Sequence, residues 1–400
     1  MLRLTPNRDF RLVWTASIVS QLGDWSARLA LALLVLERSG SAATVGVVAA
    51  LFVVPWLGPG QFLTAWSARF ARRPVLIACD TFRGIAFVAI GTIDMPTVPL
   101  LAIVALAALA DPVFEATKSA FVTEIVSKDD YAEAIQVTHA ANQASSLIGY
   151  ALGGLLVGLF GAALTLNLNG LSFLLSALLI VAVSSRGKSD TLERSKPSLT
   201  AAFGFLRNDR ISALGFLVTV AAVTAAMSVE SQVAVYGKVV AGFGDEIIGV
   251  LSAMTPAATL VTVSLLRTSG ADGVLLRRGL VIAAASAAGA SALLFLGVGG
   301  VLAFVAFALV GVIFSFVTMT NVVVGRRLPD DNRAAIFSIL QSGVFLGLST
   351  GALLGGLISE ATSPELAAGA ALALGAAIFT AAIPYASRRS ESTTASPPVP

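Results

Sequence analysis

Seven ionisable side chains stand inside apolar stretches where a charge is costly: Asp24, Arg28, Asp80, Arg83, Asp111, Glu115 and Lys118. A charged group within a membrane-spanning helix costs about 2.5–3.5 kcal/mol on insertion scales, so each needs a partner, water or a use. Asp24 lies 13 residues from both Arg11 and Glu37, near the middle of its stretch, with Gln21 and Arg28 on the same helical face. It reads either as a site for a proton, coupling ion or substrate, or as a self-neutralised Asp24–Arg28 pair. Asp111, Glu115 and Lys118 fall at i, i+4 and i+7 and project to one side. Two carboxylates so placed can share a proton. The other reading is a Glu115–Lys118 ion pair lining a water-filled cleft, with Lys118 reaching the interface. Asp24 and Asp111 are therefore the proton-linked candidates, with Glu115 beside them.

The elements that hold these residues follow from composition. The chain has 400 residues, 56% hydrophobic and 12% charged; soluble domains carry about 25% charged residues. Lipid must be the solvent for much of its surface. One cysteine, Cys79, and one histidine, His139, exclude an intramolecular disulfide and Cys- or His-rich metal sites. No Ser/His/Asp constellation is present. Gly187-Lys188-Ser189 lacks the phosphate-loop glycine, because position 182 is Ala. No enzyme activity and no cofactor are expected.

A crossing needs about 20 apolar residues. Twelve such runs occur: 11–36, 43–66, 74–94, 98–122, 133–159, 162–184, 211–236, 246–267, 274–296, 300–324, 333–358 and 364–385. With a cytoplasmic N-terminus, inside segments hold 21 Lys or Arg and outside loops two, Arg38 and Lys238. This asymmetry supports an even crossing number and that orientation. It also assigns the basic net charge to topology rather than nucleic acid. The N-terminal segment has no cleavage site and should remain as the first crossing.

A repeat recurs at about 200 residues. Ser127-Lys128-Asp129-Asp130-Tyr131 reads like Leu328-Pro329-Asp330-Asp331-Asn332, and Gly153-Gly154 like Gly355-Gly356. This predicts six-helix halves at 1–184 and 211–386, joined by a linker over 185–210 with an amphipathic segment. The tail, 387–400, is too polar and Pro-rich to pack. Glycine ladders at 149, 153, 154 and 158, and at 343, 347, 351 and 355, predict close helix contacts.

Several further residues carry expectations. Asp80 and Arg83 are expected in a cytoplasmic charge network with Arg69, Arg72 and Arg73, which Asp80, Asp129 or Asp130 would balance. These seven residues form the candidate cytoplasmic gate. Glu230 reads as a gate or interfacial residue. His139, Asn142 and Gln143 are expected to make helix-to-helix hydrogen bonds.

Asn7-Arg8-Asp9-Phe10-Arg11-Leu12-Val13-Trp14 and Ser20-Gln21-Leu22-Gly23-Asp24-Trp25 resemble the opening of bacterial major facilitator superfamily exporters. The branch is the drug-efflux group that includes macrolide efflux and enterobactin-export proteins. Ala68-Arg69-Phe70-Ala71-Arg72-Arg73-Pro74 resembles its loop between helices 2 and 3, and Leu171-Ser172-Phe173-Leu174 its sixth helix. The family's Gly and Asp before the basic run are replaced by Thr64 and Ala68, and Tyr150 stands where its antiporter signature has Pro.

The resemblance implies twelve helices in two pseudo-symmetric bundles, and export of an amphipathic drug, siderophore or secondary metabolite in exchange for protons. Gln21, Arg28, Asn142, Asn321 and Gln341 are the candidate cavity residues. The expected setting is a bacterial inner membrane with both termini cytoplasmic; the expected partners are a small molecule, protons or another ion, and the bilayer, with no nucleic acid, and the chain acting as a monomer. Rival readings are uptake or flipping of a lipid-like substrate, and a non-transporting sensor or scaffold.

Overall fold

The structure is a computed structural model that describes residues 7–127, 130–185, 199–266, 270–328 and 333–387. Helices make up its regular structure, and no strand occurs among the described residues. They are α1 (Arg8–Ser39), α2 (Ala42–Leu51), α3 (Pro59–Ser67), α4 (Arg72–Thr92), α5 (Thr97–Ala108), α6 (Ala110–Ile125), α7 (Tyr131–Val181), α8 (Leu199–Asn208), α9 (Arg210–Glu230), α10 (Val233–Val235), α11 (Asp245–Leu265), α12 (Asp272–Phe295), α13 (Gly300–Arg327), α14 (Arg333–Ala361) and α15 (Pro364–Ser387). Among the described residues, ten helical stretches are long and apolar enough to cross a membrane. One of them, Glu133–Val181, holds two crossings divided at Gly161, and the broken segment Ala42–Ser67 supplies another. The total among the described residues is twelve.

Local chemistry sets the ends and breaks. Asn7 caps α1 by accepting from the Phe10 N–H at 3.1 Å, and Gly40 ends the helix at φ 62°. Within α7, Gly161 takes φ 80° and ψ 163°, backbone that a side chain resists, so the fifth and sixth crossings part there. Pro55, Gly58 and Pro59 interrupt the second crossing between α2 and α3. Pro112 interrupts the fourth: it has no N–H to give the Ala108 carbonyl, and α5 ends at Ala108.

The chain forms two compact units, Met1–Glu193 with Val233–Pro256, and Arg194–Gln232 with Ala257–Pro400. The first has a core from Leu29, Leu31, Phe87, Leu100, Leu166 and Phe173, joined by Ala234 and Ile248. Its glycine ladder works as the spacing predicts. A Cβ on Gly153 would stand 2.8 Å from the Ser26 Cα, and Ser26 Oγ donates to the Gly149 carbonyl at 2.8 Å. Gly154 meets Gly249 of α11 backbone to backbone, so neither helix has room for a side chain. Leu at Gly154 is expected to cost about 1–3 kcal/mol, the usual penalty of overpacking, read as a lower melting temperature of the purified protein.

In the second unit the ladder of α14 packs on α9: Gly347 against Val220 and Val223, Gly351 against Thr224, Gly355 against Ser228. One end of this unit carries a charge latch. Arg327 donates through Nε and Nη2 to both oxygens of Asp209, at 2.6 and 2.7 Å, and through Nη1 to Asp272 at 3.3 Å. Burial alone would raise the Asp209 carboxyl, but hydrogen bonds from Arg327 and Ser212 outweigh it and hold it below the usual range. A depressed carboxyl stabilises the fold above its unfolded pKa and loses that contribution only as pH falls through the lower, folded value. The melting difference between wild type and Asp209→Asn should therefore stay constant from about pH 8 to pH 5 and shrink only below about pH 4.

Candidate functional site

Three crossings of the first unit bring their charged residues into one chain of contacts, closed by a serine from a fourth. Arg28 Nη2 lies 2.9 Å from Asp24 Oδ2, and Arg28 Nε donates to the same oxygen at 3.0 Å. The same guanidinium lies 3.8 Å from Asp111 Oδ2. From the other side, Arg83 Nη1 donates to Asp111 Oδ1 at 2.6 Å, and Arg83 Nη2 to Asp80 Oδ1 at 2.5 Å. Ser176 Oγ of α7 completes the chain by donating to Asp80 Oδ2 at 2.6 Å. The order is Asp24, Arg28, Asp111, Arg83, Asp80, Ser176.

The breaks in the helices place these groups. Because α6 begins at Ala110, Asp111 stands in its first turn, where the positive end of the helix dipole favours a carboxylate. A Cβ on Gly60, at the start of α3, would reach Pro112, so the broken second and fourth crossings meet at this point. Aromatic faces enclose both guanidiniums. Arg28 lies 4.6 Å from the Trp25 ring centroid and 4.4 Å from that of Phe52; Arg83 lies 4.6 Å from Phe114 and 4.3 Å from Phe173. Tyr150 adds a ring 5.2 Å from Trp25. Flanking aromatic faces favour cations while keeping water away.

Burial grades along the chain. Asp80 is fully buried and Arg83 and Asp111 nearly so, whereas the Asp24 and Arg28 side chains keep 14% and 23% exposure. The open end is therefore at α1. Three carboxylates face two guanidiniums, so the fully ionised chain carries one unit of negative charge, which one proton would cancel. Arg83 Nε has no hydrogen-bond partner among the described residues.

The structure separates the other candidates. Glu115 pairs with Lys118 at 2.6 Å. Lys118 is 4% exposed, between Glu115 and the Phe114 ring, 5.7 Å away. Asp80 and Arg83 bond to Ser176 and Asp111, not to the basic residues of the 67–73 loop. Those arginines find nearer acceptors. Arg72 pairs with Glu124 and donates to the Ala120 carbonyl at 3.2 Å. Arg73 donates to the Ile180 and Val181 carbonyls at the end of α7. Arg69 is exposed. Asp130 accepts from Ser127 Oγ at 2.7 Å, and Asp129 lies outside the described residues. Gln21, Asn142, Asn321 and Gln341 are half-buried, His139 and Gln143 exposed. No cluster of three or more potential metal ligands occurs among the described residues.

Long apolar helices with paired charges inside those of the first unit define a polytopic helical membrane protein. The family model of the Major Facilitator Superfamily matches residues 13–324, and the chain belongs to that superfamily of transporters. It is 22% identical over 360 residues to YfiS, an uncharacterized MFS-type transporter of Bacillus subtilis (strain 168), covering 87% of this chain and 86% of that protein. The multidrug efflux pump Tap of Mycobacterium tuberculosis (strain ATCC 25618 / H37Rv) is 26% identical over 197 residues, 46% of each chain. Among solved structures, a bacterial homologue of the human lysosomal transporter Spinster, inward-facing and unoccupied, matches with TM-score 0.73 at 16% identity, covering 96% of this chain and 95% of that one. The nucleoside transporter NupG matches with TM-score 0.72 at 12% identity, covering 94% and 98%. The fold is that of the superfamily. A membrane transporter of this kind acts on a small molecule within a lipid bilayer.

Proposed function

We propose that the protein is a proton-coupled exporter of amphipathic small molecules, working by alternating access. The observation that carries this is the Asp24–Arg28–Asp111–Arg83–Asp80 chain: three carboxylates and two guanidiniums inside the membrane, one proton short of neutrality. Such a group can hold a proton in one stage of a cycle and release it in the next. Asp24, at the exposed end, receives the proton, Asp111 links it to the buried remainder, and Glu115 is held apart by Lys118. Gln21, Arg28, Asn142, Asn321 and Gln341 offer polar groups to the substrate; of these, Gln21, Asn142, Asn321 and Gln341 are half-buried on spanning helices. The aromatic rings around Arg28 suit an amphipathic solute.

Export is favoured by the similarity to Tap, named as a multidrug efflux pump, and by the opening segments that resemble the macrolide and enterobactin exporters. The functional halves are residues 1–184 and 211–386, with a cytoplasmic linker at 185–210. The chain lies in a bacterial inner membrane with both termini inside, acts as a monomer and catalyses no chemical conversion. The test is efflux from a pump-deficient bacterial strain, using a panel of amphipathic dyes and drugs that includes ethidium. Collapsing the pH gradient should slow efflux of the compounds that are exported; unchanged efflux would overturn the reading.

A further inference from the structure

A groove of about 600 Å³ runs along the outer face of α4, formed by Arg73, Pro74, Ile77, Ala78, Phe82 and Ile85. That volume is within the roughly 300–1,000 Å³ of small-ligand sites. Its length is apolar apart from the Thr81 hydroxyl, and its walls are open: Phe82 is 47% and Ile85 61% exposed. In a chain that crosses the membrane, such a face lies against acyl chains. One end differs. Arg73 fixes Nε and Nη2 on the Ile180 and Val181 carbonyls, which anchors the guanidinium at the mouth of the groove, while Nη1 has no hydrogen-bond partner among the described residues. Among the described residues no carboxylate lines the groove, and the formal charge they give it is positive. Beside it in sequence, Arg69 is exposed, and Trp66 and Phe70 are exposed with ring centroids 4.9 Å apart; tryptophan is enriched where a protein meets lipid headgroups.

From this arrangement we infer that the α4 groove is a binding site for an anionic phospholipid, one acyl chain lying over Ala78, Phe82 and Ile85 and the phosphate on Arg73. A phosphate ester with no cationic headgroup satisfies the guanidinium; phosphatidylethanolamine would bring an ammonium that the groove cannot pair. Arginine at a spanning-helix end also matches the basic pockets that select acidic lipids.

The experiment is native mass spectrometry of the full-length protein in detergent, titrated with phosphatidylglycerol or with phosphatidylcholine of the same chains. Wild type should retain phosphatidylglycerol preferentially. Arg73→Gln should lower that retention about fivefold, the effect expected of one basic side chain at an acidic surface, and leave phosphatidylcholine unchanged; Arg73→Lys should keep the preference. Ala78→Phe, which fills the groove without touching the α7 carbonyls, should displace both lipids from this site. Equal retention of both lipids by wild type, or wild-type phosphatidylglycerol retention in Arg73→Gln and Ala78→Phe, would overturn the assignment.

Discussion

Replacing Arg83 with glutamine is expected to remove most of the folded protein from the membrane. The guanidinium is 6% exposed and answers two buried carboxylates, at 2.6 Å on Asp111 and 2.5 Å on Asp80. Glutamine leaves Asp80 without its ion pair and Asp111 with only Arg28, 3.8 Å away, in a pocket walled by Phe114 and Phe173. Breaking a buried pair by removing one member costs about 3–5 kcal/mol. Set against a total stability of about 5–15 kcal/mol, that loss is large. Yield of monodisperse protein and its melting temperature are the readouts. Asp80→Asn in the Arg83→Gln background should recover part of the loss by withdrawing one stranded charge. A wild-type melting temperature for Arg83→Gln alone would show that the chain of contacts does not hold the helices together.

Asp24→Asn should do the opposite: near-normal folding with transport reduced to the background of a strain lacking the protein. Asp24 is at the open end of the network, and a partly exposed ion pair contributes only about 0–1 kcal/mol. Arg28 keeps Asp111 within 3.8 Å after the change. The charge balance shifts from one excess negative to neutral, the state that a bound proton would produce. A carrier fixed in that state cannot complete a proton-coupled cycle. Efflux from cells, with membrane-inserted protein quantified in parallel, separates this from a folding defect. Should Asp24→Asn export normally, proton coupling through α1 would be excluded; a scaffold that does not transport would show no efflux in either form.

The crossings were legible in the sequence because each is about twenty apolar residues between charges, a pattern that the bilayer imposes whatever the tertiary contacts. The glycine ladders of α7 and α14 were legible for the same reason, since spacing of four keeps one helix face free of side chains. Asp24, Arg28 and Asp111 stood out as charges at mid-span. What spacing does not reveal is pairing between distant helices. Arg83 and Asp111 are 28 residues apart and Asp80 and Ser176 are 96 apart, so nothing local joins them. Ser176, in a run of Leu, Ser and Ala, gives no sequence signal at all. The interruptions did carry one: Pro55-Trp56-Leu57-Gly58-Pro59 and Pro112 mark discontinuous crossings, and such breaks tend to line a site in transporters. Arg72 and Arg73 show a different limit, because their acceptors are backbone carbonyls or a residue about fifty positions away, which charge counting cannot see.

The most direct test of the central claim is proton movement in vesicles that contain the purified protein and a trapped pH-sensitive dye. A compound found to be exported from cells is added on one side, with no pH gradient present. The vesicle interior should change pH as the compound crosses, protons moving opposite to it, and Asp24→Asn vesicles should show neither movement. Passage of the compound with no pH change, or proton flux in Asp24→Asn equal to wild type, would contradict the account.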